Sequence, residues 1–199
     1  MGWEETVSLN LNGDGSTVRG YNTQHIPTAN TKIEMEVRGW GIFRPIASQI
    51  QTTPESMRIG CSITGGHVKG YEANANYFYH GSASVSFSDL PYEQIFTLED
   101  NGIFVINLEH GIARLRCEKV SYDKTLALES GELVTDNPLL IGEIQGIIPA
   151  QGSTLQVRYC KIWEGDSLEM DILVLQKTDG SEERALYDKI SHSFLPKCG

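Results

Sequence analysis

The chain has 199 residues, 40% of them hydrophobic, with 20 glycines and a formal charge of −10. That length suits one domain, residues 1–199, able to bury a core without staples. An acidic surface repels phosphate backbones and anionic lipid, which argues against nucleic-acid and membrane-surface binding and leaves glycans, cations and basic protein faces open.

No stretch approaches the ~18 apolar residues of a membrane span. Met1-Gly2-Trp3-Glu4-Glu5 is acidic and lacks an apolar export core, so synthesis in a cytoplasm is expected. The four cysteines, Cys61, Cys117, Cys160 and Cys198, are too far apart for paired zinc ligands. Three pairings are open to them, and cytosolic synthesis favours free, buried thiols. The five histidines, His25, His67, His80, His110 and His192, show no metal-binding spacing.

In chain order, Val7, Leu9 and Leu11 alternate with polar residues and predict a first strand. Residues 1–10 are that strand or a segment docking to a partner. The strand stops at the turn signal Asn12-Gly13-Asp14-Gly15. Asn10-x-Asn12-x-Asp14-Gly15 half-matches a calcium loop. Such a loop wants a carboxylate first and a bidentate Glu twelfth, where this chain has Asn10 and Tyr21. A plain hairpin turn is expected, with no metal or cofactor assigned. Lys32 to Arg38 alternates cleanly: Ile33, Met35 and Val37 face one way, Lys32, Glu34, Glu36 and Arg38 the other. That period means a half-buried strand. Trp40 to Ile46 reads as another extended piece, ended by Pro45. Met57 to Thr64 is a further strand, and Gly65-Gly66 turns into His67 to Glu72.

The next stretch holds aromatic and amide side chains: Tyr71, Asn74, Asn76, Tyr77, Phe78, Tyr79 and His80. Tyr77 and Tyr79 share a face if this is a strand. Flat aromatic faces stack on sugar rings, and Asn or His bonds hydroxyls. Tyr71, Asn74, Asn76, Tyr77, Tyr79 and His80 are therefore the candidate ligand-binding patch. The plainer reading is a cross-strand aromatic pair that stiffens a sheet.

Val85 to Leu90, Gln94 to Leu98 and Ile103 to Leu108 are short strands, the latter two joined at Asn101-Gly102. Ile112 to Val120 predicts one more. Residues 121–137 are polar and expected as an exposed connection. Leu139-Leu140-Ile141 and Ile144 to Ile148 are buried strand or loop. Leu155 to Trp163, the turn Glu164-Gly165-Asp166-Ser167, and Leu168 to Leu175 read as a β-hairpin. A turn at Thr178-Asp179-Gly180-Ser181 leads to Arg184-Ala185-Leu186-Tyr187-Asp188 and a last run ending at Phe194. No segment carries a helical period. About a dozen short strands punctuated by turns predict an all-β antiparallel sandwich.

Cys160-Lys161-Ile162-Trp163, Asp179-Gly180, Ala185-Leu186-Tyr187-Asp188 and Phe194 together resemble the end of a known domain type. It is the laminin-G-like, concanavalin A-type jelly roll of phage virion proteins and gut-bacterial surface proteins. Thr23-Gln24-His25-Ile26-Pro27-Thr28, leading into Thr31 to Val37, is similar to the loop and first long strand of such a domain. The two ends bracket nearly the whole chain. The resemblance implies a concanavalin A-like sandwich serving as a non-catalytic structural or interaction module. It implies a virion location as capsid decoration, head fibre or tail-associated protein, assembled in a host cytoplasm. Implied partners are other virion or surface proteins and host or mucus glycans, with a homo-oligomer left open. A bacterial surface lectin is an alternative.

Laminarinase-type glycoside hydrolases share this fold and carry E-x-D-x-x-E or E-x-D-x-E on one strand. Glu169-Met170-Asp171 places two carboxylates on one face. Leu173 and Val174 stand where the third acid belongs, so no catalytic residue is assigned and hydrolysis is the alternative reading. Glu34 and Glu36 form a second such pair. No G-x-S-x-G elbow or phosphate loop is present.

Overall fold

One strand of 18 residues belongs to two sheets and joins them. The computed structural model describes residues 2–11, 20–48, 58–65, 77–81, 83–86, 102–109, 111–117, 120–126, 137–142 and 154–198. Among these the first strands are β1 (Trp3–Glu5), β2 (Leu9–Leu11), β3 (Gly20–Asn22), β4 (Thr31–Ser48), β5 (Arg58–Gly65), β6 (Tyr77–Gly81), β7 (Ala83–Ser86) and β8 (Gly102–Glu109). They continue with β9 (Ile112–Cys117), β10 (Val120–Thr125), β11 (Leu139–Gly142), β12 (Thr154–Glu164), β13 (Ser167–Lys177), β14 (Arg184–Asp188), β15 (Ser193–Phe194) and β16 (Lys197–Cys198). There is no helix among the described residues.

The protein is an all-β antiparallel sandwich. The larger sheet runs β10-β9-β8-β4-β12-β13-β14-β15. The smaller sheet holds β7-β6-β5, the second half of β4, and β11-β3-β16. β4 pairs with β8 and β12 up to Gly39 and Trp40, and with β5 from Gly41. A strand that changes sheets makes a sandwich corner. Pro45 does not end it, contrary to the expectation from sequence. β4 carries one extra residue between Phe43 and Ile46 against β5, and another between Arg44 and Ile46 against β11. Pro45 lies in that bulge, where a residue without an N–H is tolerated.

The alternation of Ile33, Met35 and Val37 translates into burial at 0–1% exposure. Ile106, Leu108, Ala113, Leu115, Ile162, Ile172, Val174 and Leu186 join them from the larger sheet. Tyr21, Ile46, Cys61, Leu139 and Ile141 come from the smaller one. Each buried aliphatic side chain contributes about 1.5–3 kcal/mol, so this one cluster is the main source of stability.

The β12–β13 hairpin closes with Gly165 at φ +60°, a turn geometry that glycine adopts without strain. Its open end splays, and the N-terminal segment fills the gap. β2 pairs with Leu155, Gln156 and Val157, while β1 pairs with Leu175, Gln176 and Lys177. Thr6 N–H donates to Val174 O at 3.0 Å. The chain bends at Val7, which is 66% exposed, so the first strand predicted from Val7, Leu9 and Leu11 is instead two short ones. The predicted Ile112 to Val120 strand is likewise a hairpin, β9–β10. Residues 121–125 of the expected exposed connection belong to the edge strand β10.

Candidate functional site

A bulge in β12 sets up the outer face of the larger sheet. Val157 pairs with Val37 and Tyr159 with Glu36, leaving Arg158 as the extra residue. Val157 and Cys160 are buried, so Arg158 and Tyr159 both face outward. Arg158 Nη1 donates to Glu36 Oε1 at 2.6 Å, and the Tyr159 hydroxyl donates to Glu34 Oε1 at 3.1 Å. Burial, with the Glu34 charge and hydrogen bond added, lifts the Tyr159 pKa well above its ordinary value. The pair Glu34 and Glu36 is therefore tied to β12.

The register sets Asp123, Arg114, Asn107, Glu34, Lys161 and Asp171 in one row across β10, β9, β8, β4, β12 and β13. Beside this row lies an open depression of about 270 Å³. Its lining includes Lys32, Glu34, Asn107, Glu109, Trp163 and Asp166. Ile33, Ile106, Leu108 and Ile162 alternate with these residues and point into the core, which forces the polar set and Trp163 outward.

The charges here are largely compensated. Lys32 Nζ is 3.6 Å from Asp166 Oδ1. Arg114 Nη1 is 3.3 Å from Glu109 Oε2, and its Nε is 3.0 Å from Asp123 Oδ2. The Asp123 bond is the main cause of the raised Arg114 pKa. The Asn107 Oδ1 is buried and has no hydrogen-bond partner among the described residues. An unpaired buried acceptor costs about 1–3 kcal/mol.

A second cluster sits at the hairpin tip. Glu164 accepts hydrogen bonds from His25 Nε2 at 2.8 Å and from the Thr28 and Thr31 hydroxyls. Burial raises the Glu164 pKa, but the three hydrogen bonds outweigh it and hold the carboxyl below its usual range. This cluster fastens the loop before β4; every carboxylate oxygen already has a donor.

Of the six residues predicted to bind ligand, Tyr71, Asn74 and Asn76 lie outside the described residues. Tyr77, Tyr79 and His80 belong to β6, between β5 and β7 in the smaller sheet. The depression lies on the larger sheet, apart from them. Glu169 is exposed, and Asp171 Oδ2 pairs with Lys189 Nζ at 2.7 Å. Leu173 and Val174, at the missing-acid positions, are 9% and 0% exposed. Glu34 and Asp171 share the outer face but stand two strands apart, ~9.6 Å of backbone spacing, with Lys161 between them.

The half-match to a calcium loop begins at Asn10, which pairs with Gln156 in the sheet, and ends at buried Tyr21. Burial pushes the Tyr21 hydroxyl up to about 12. No group of three His, Cys, Asp or Glu among the described residues could hold a metal. No described helix is long and apolar enough to cross a membrane. Cys61 and Cys160 are free, fully buried thiols, and Cys198 is half-buried.

No family model matches the chain, and no curated protein does either. The depression itself carried a sequence signal that motif reading misses. Asn107 and Glu109 alternate with Ile106 and Leu108, and Trp163 follows buried Ile162. Only strand order reveals that they meet.

Proposed function

We propose that this protein is a non-catalytic interaction module of the laminin-G-like, concanavalin A-type kind. It serves on a phage particle as a capsid-decorating, head-fibre or tail-associated protein that contacts host or mucus glycans. One observation supports the non-catalytic part: three of the four candidate acids are committed to structural partners, and the fourth, Glu169, is exposed. Glu36 holds Arg158, Glu34 holds Tyr159, and Asp171 holds Lys189. A retaining glycosidase needs two carboxyls ~5 Å apart, one of them free to move a proton. The virion assignment rests on the resemblance of the two chain ends. Mass spectrometry of purified virions tests it. Stoichiometric presence in the particle is the expected result, and absence removes the assignment. A surface lectin would instead sit among export and cell-envelope genes.

The hydrolase reading keeps one supporting observation, that Glu34 and Asp171 share an open face. Reducing-sugar release from β-glucans is expected to be nil. Turnover abolished by both Glu34→Gln and Asp171→Asn would replace the binding proposal with a catalytic one.

A further inference from the structure

We infer that the depression beside Trp163 is a subsite for one neutral pyranose ring. The inference rests on the glycan-contact reading and gives it a location, distinct from the β6 patch expected from the sequence. Three features of the lining select this ligand class. Trp163 supplies an aromatic wall, and the apolar C–H face of a sugar packs on such a surface. Donor and acceptor groups converge beside it: the Lys32 ammonium, the Asn107 amide, and the Glu34 and Glu109 carboxylates. A sugar hydroxyl both donates and accepts, so it can satisfy either kind. An aromatic wall with a few convergent polar groups is the usual composition of a small-ligand site.

Charge decides against the competitors. Three carboxylates, Glu34, Glu109 and Asp166, against the two cations Lys32 and Arg114 leave one negative charge in excess, which repels a uronic or sialic acid. A cationic side chain meets carboxylates already engaged, since Lys32 spans to Asp166 and Arg114 covers Glu109. A neutral, hydroxyl-rich ring needs no uncompensated charge. The partnerless Asn107 Oδ1 is one acceptor that a ligand hydroxyl would satisfy once the amide turns toward it.

The full chain is titrated with the methyl glycosides of glucose, galactose, mannose and N-acetylglucosamine, following the Trp163 indole resonance by NMR. Methyl glucuronide and an arginine-rich peptide are the competing probes. At least one neutral glycoside should shift the Trp163 indole and saturate. Glu34→Gln and Asn107→Ala should each weaken it by about tenfold or more with the melting temperature retained. Trp163→Phe should keep part of the affinity if Trp163→Ala fails to fold. Neutral binding unchanged in both polar variants overturns the site, as does preference for the glucuronide or the peptide, or no neutral binding at all. A chain found in virions that fails this titration loses the subsite alone. A chain absent from virions loses the parent assignment even where the sugar binds.

Discussion

His25 Nε2 lies 2.8 Å from Glu164 Oε1, although 139 residues of chain separate them. The Thr28 and Thr31 hydroxyls reach the same carboxylate, and Gly165 N–H donates to Asn30 O at 3.0 Å. The loop that enters the long strand β4 is thus pinned to the tip of the β12–β13 hairpin. One carboxylate joins two stretches that lie far apart in the chain.

Glu164→Gln should destabilise the fold by about 2 kcal/mol. The amide offers one acceptor oxygen where the carboxylate offered two, and hydrogen bonds to charged groups contribute about 1.5–3 kcal/mol each. Urea unfolding should show a lower midpoint at unchanged slope. An unshifted midpoint would mean the cluster adds nothing to stability.

Acid should weaken the protein through two carboxylates. Asp188 is 1% exposed and accepts the backbone N–H groups of Asp171, Ile190 and Ser191 at 2.9, 3.2 and 2.9 Å. Burial raises its pKa, but these bonds outweigh burial and lower it, as at Glu164. A depressed folded-state pKa means the stabilisation is complete above the ordinary values of 3.8 and 4.5. It is lost as pH falls through the lower folded values. Urea midpoints measured from pH 6 downward should fall below about pH 4.5. The fall should be shallower in the Glu164→Gln variant, and equal slopes in both proteins would contradict it.

The N-terminal segment should be part of the cooperative fold. Leu11 is 1% exposed in β2, and the Trp3 ring packs on Phe194 with centroids 4.6 Å apart. Leu11→Ala should cost about 2–5 kcal/mol by leaving a cavity. Trp3→Ala, at a partly exposed site, should cost less. Hydrogen exchange should protect the amides of β2 as strongly as their β12 partners. Fast exchange there would mean the segment frays independently.

Cys61 and Cys160 should resist thiol reagents in the native protein. Both are 0% exposed, and burial pushes Cys61 up to about 12 and Cys160 higher still. The thiolate is the reactive form, so both sites are slow on two counts. Mass-mapped alkylation at pH 8 should modify half-buried Cys198 before Cys61 and Cys160, which should react only in denaturant. Early labelling of Cys160 would refute the buried assignment.

Much of the architecture was legible in single residues. The alternation at Ile33, Met35 and Val37, and the Gly165-Asp166 turn between two extended runs, each state a local geometry. Local geometry depends on neighbours in sequence, and those are visible. Pro45 misled because its missing N–H is harmful only where a ladder bond is required, and a bulge removes that requirement. Ile112 to Val120 misled because Val120 belongs by pairing to β10, and no local pattern separates it from β9.

By itself the sequence determined that this chain makes strands, which of their faces are apolar, and where most turns fall. Strand order belongs to tertiary structure alone. Trp163 and Asn107 come from strands more than 50 residues apart, and they line one depression only because β12 and β8 flank opposite edges of β4. Pairing across a sheet is chosen by how the whole core packs, and no short stretch of sequence encodes that choice. The same holds for Arg158, whose outward turn follows from a bulge that exists only where β12 meets β4.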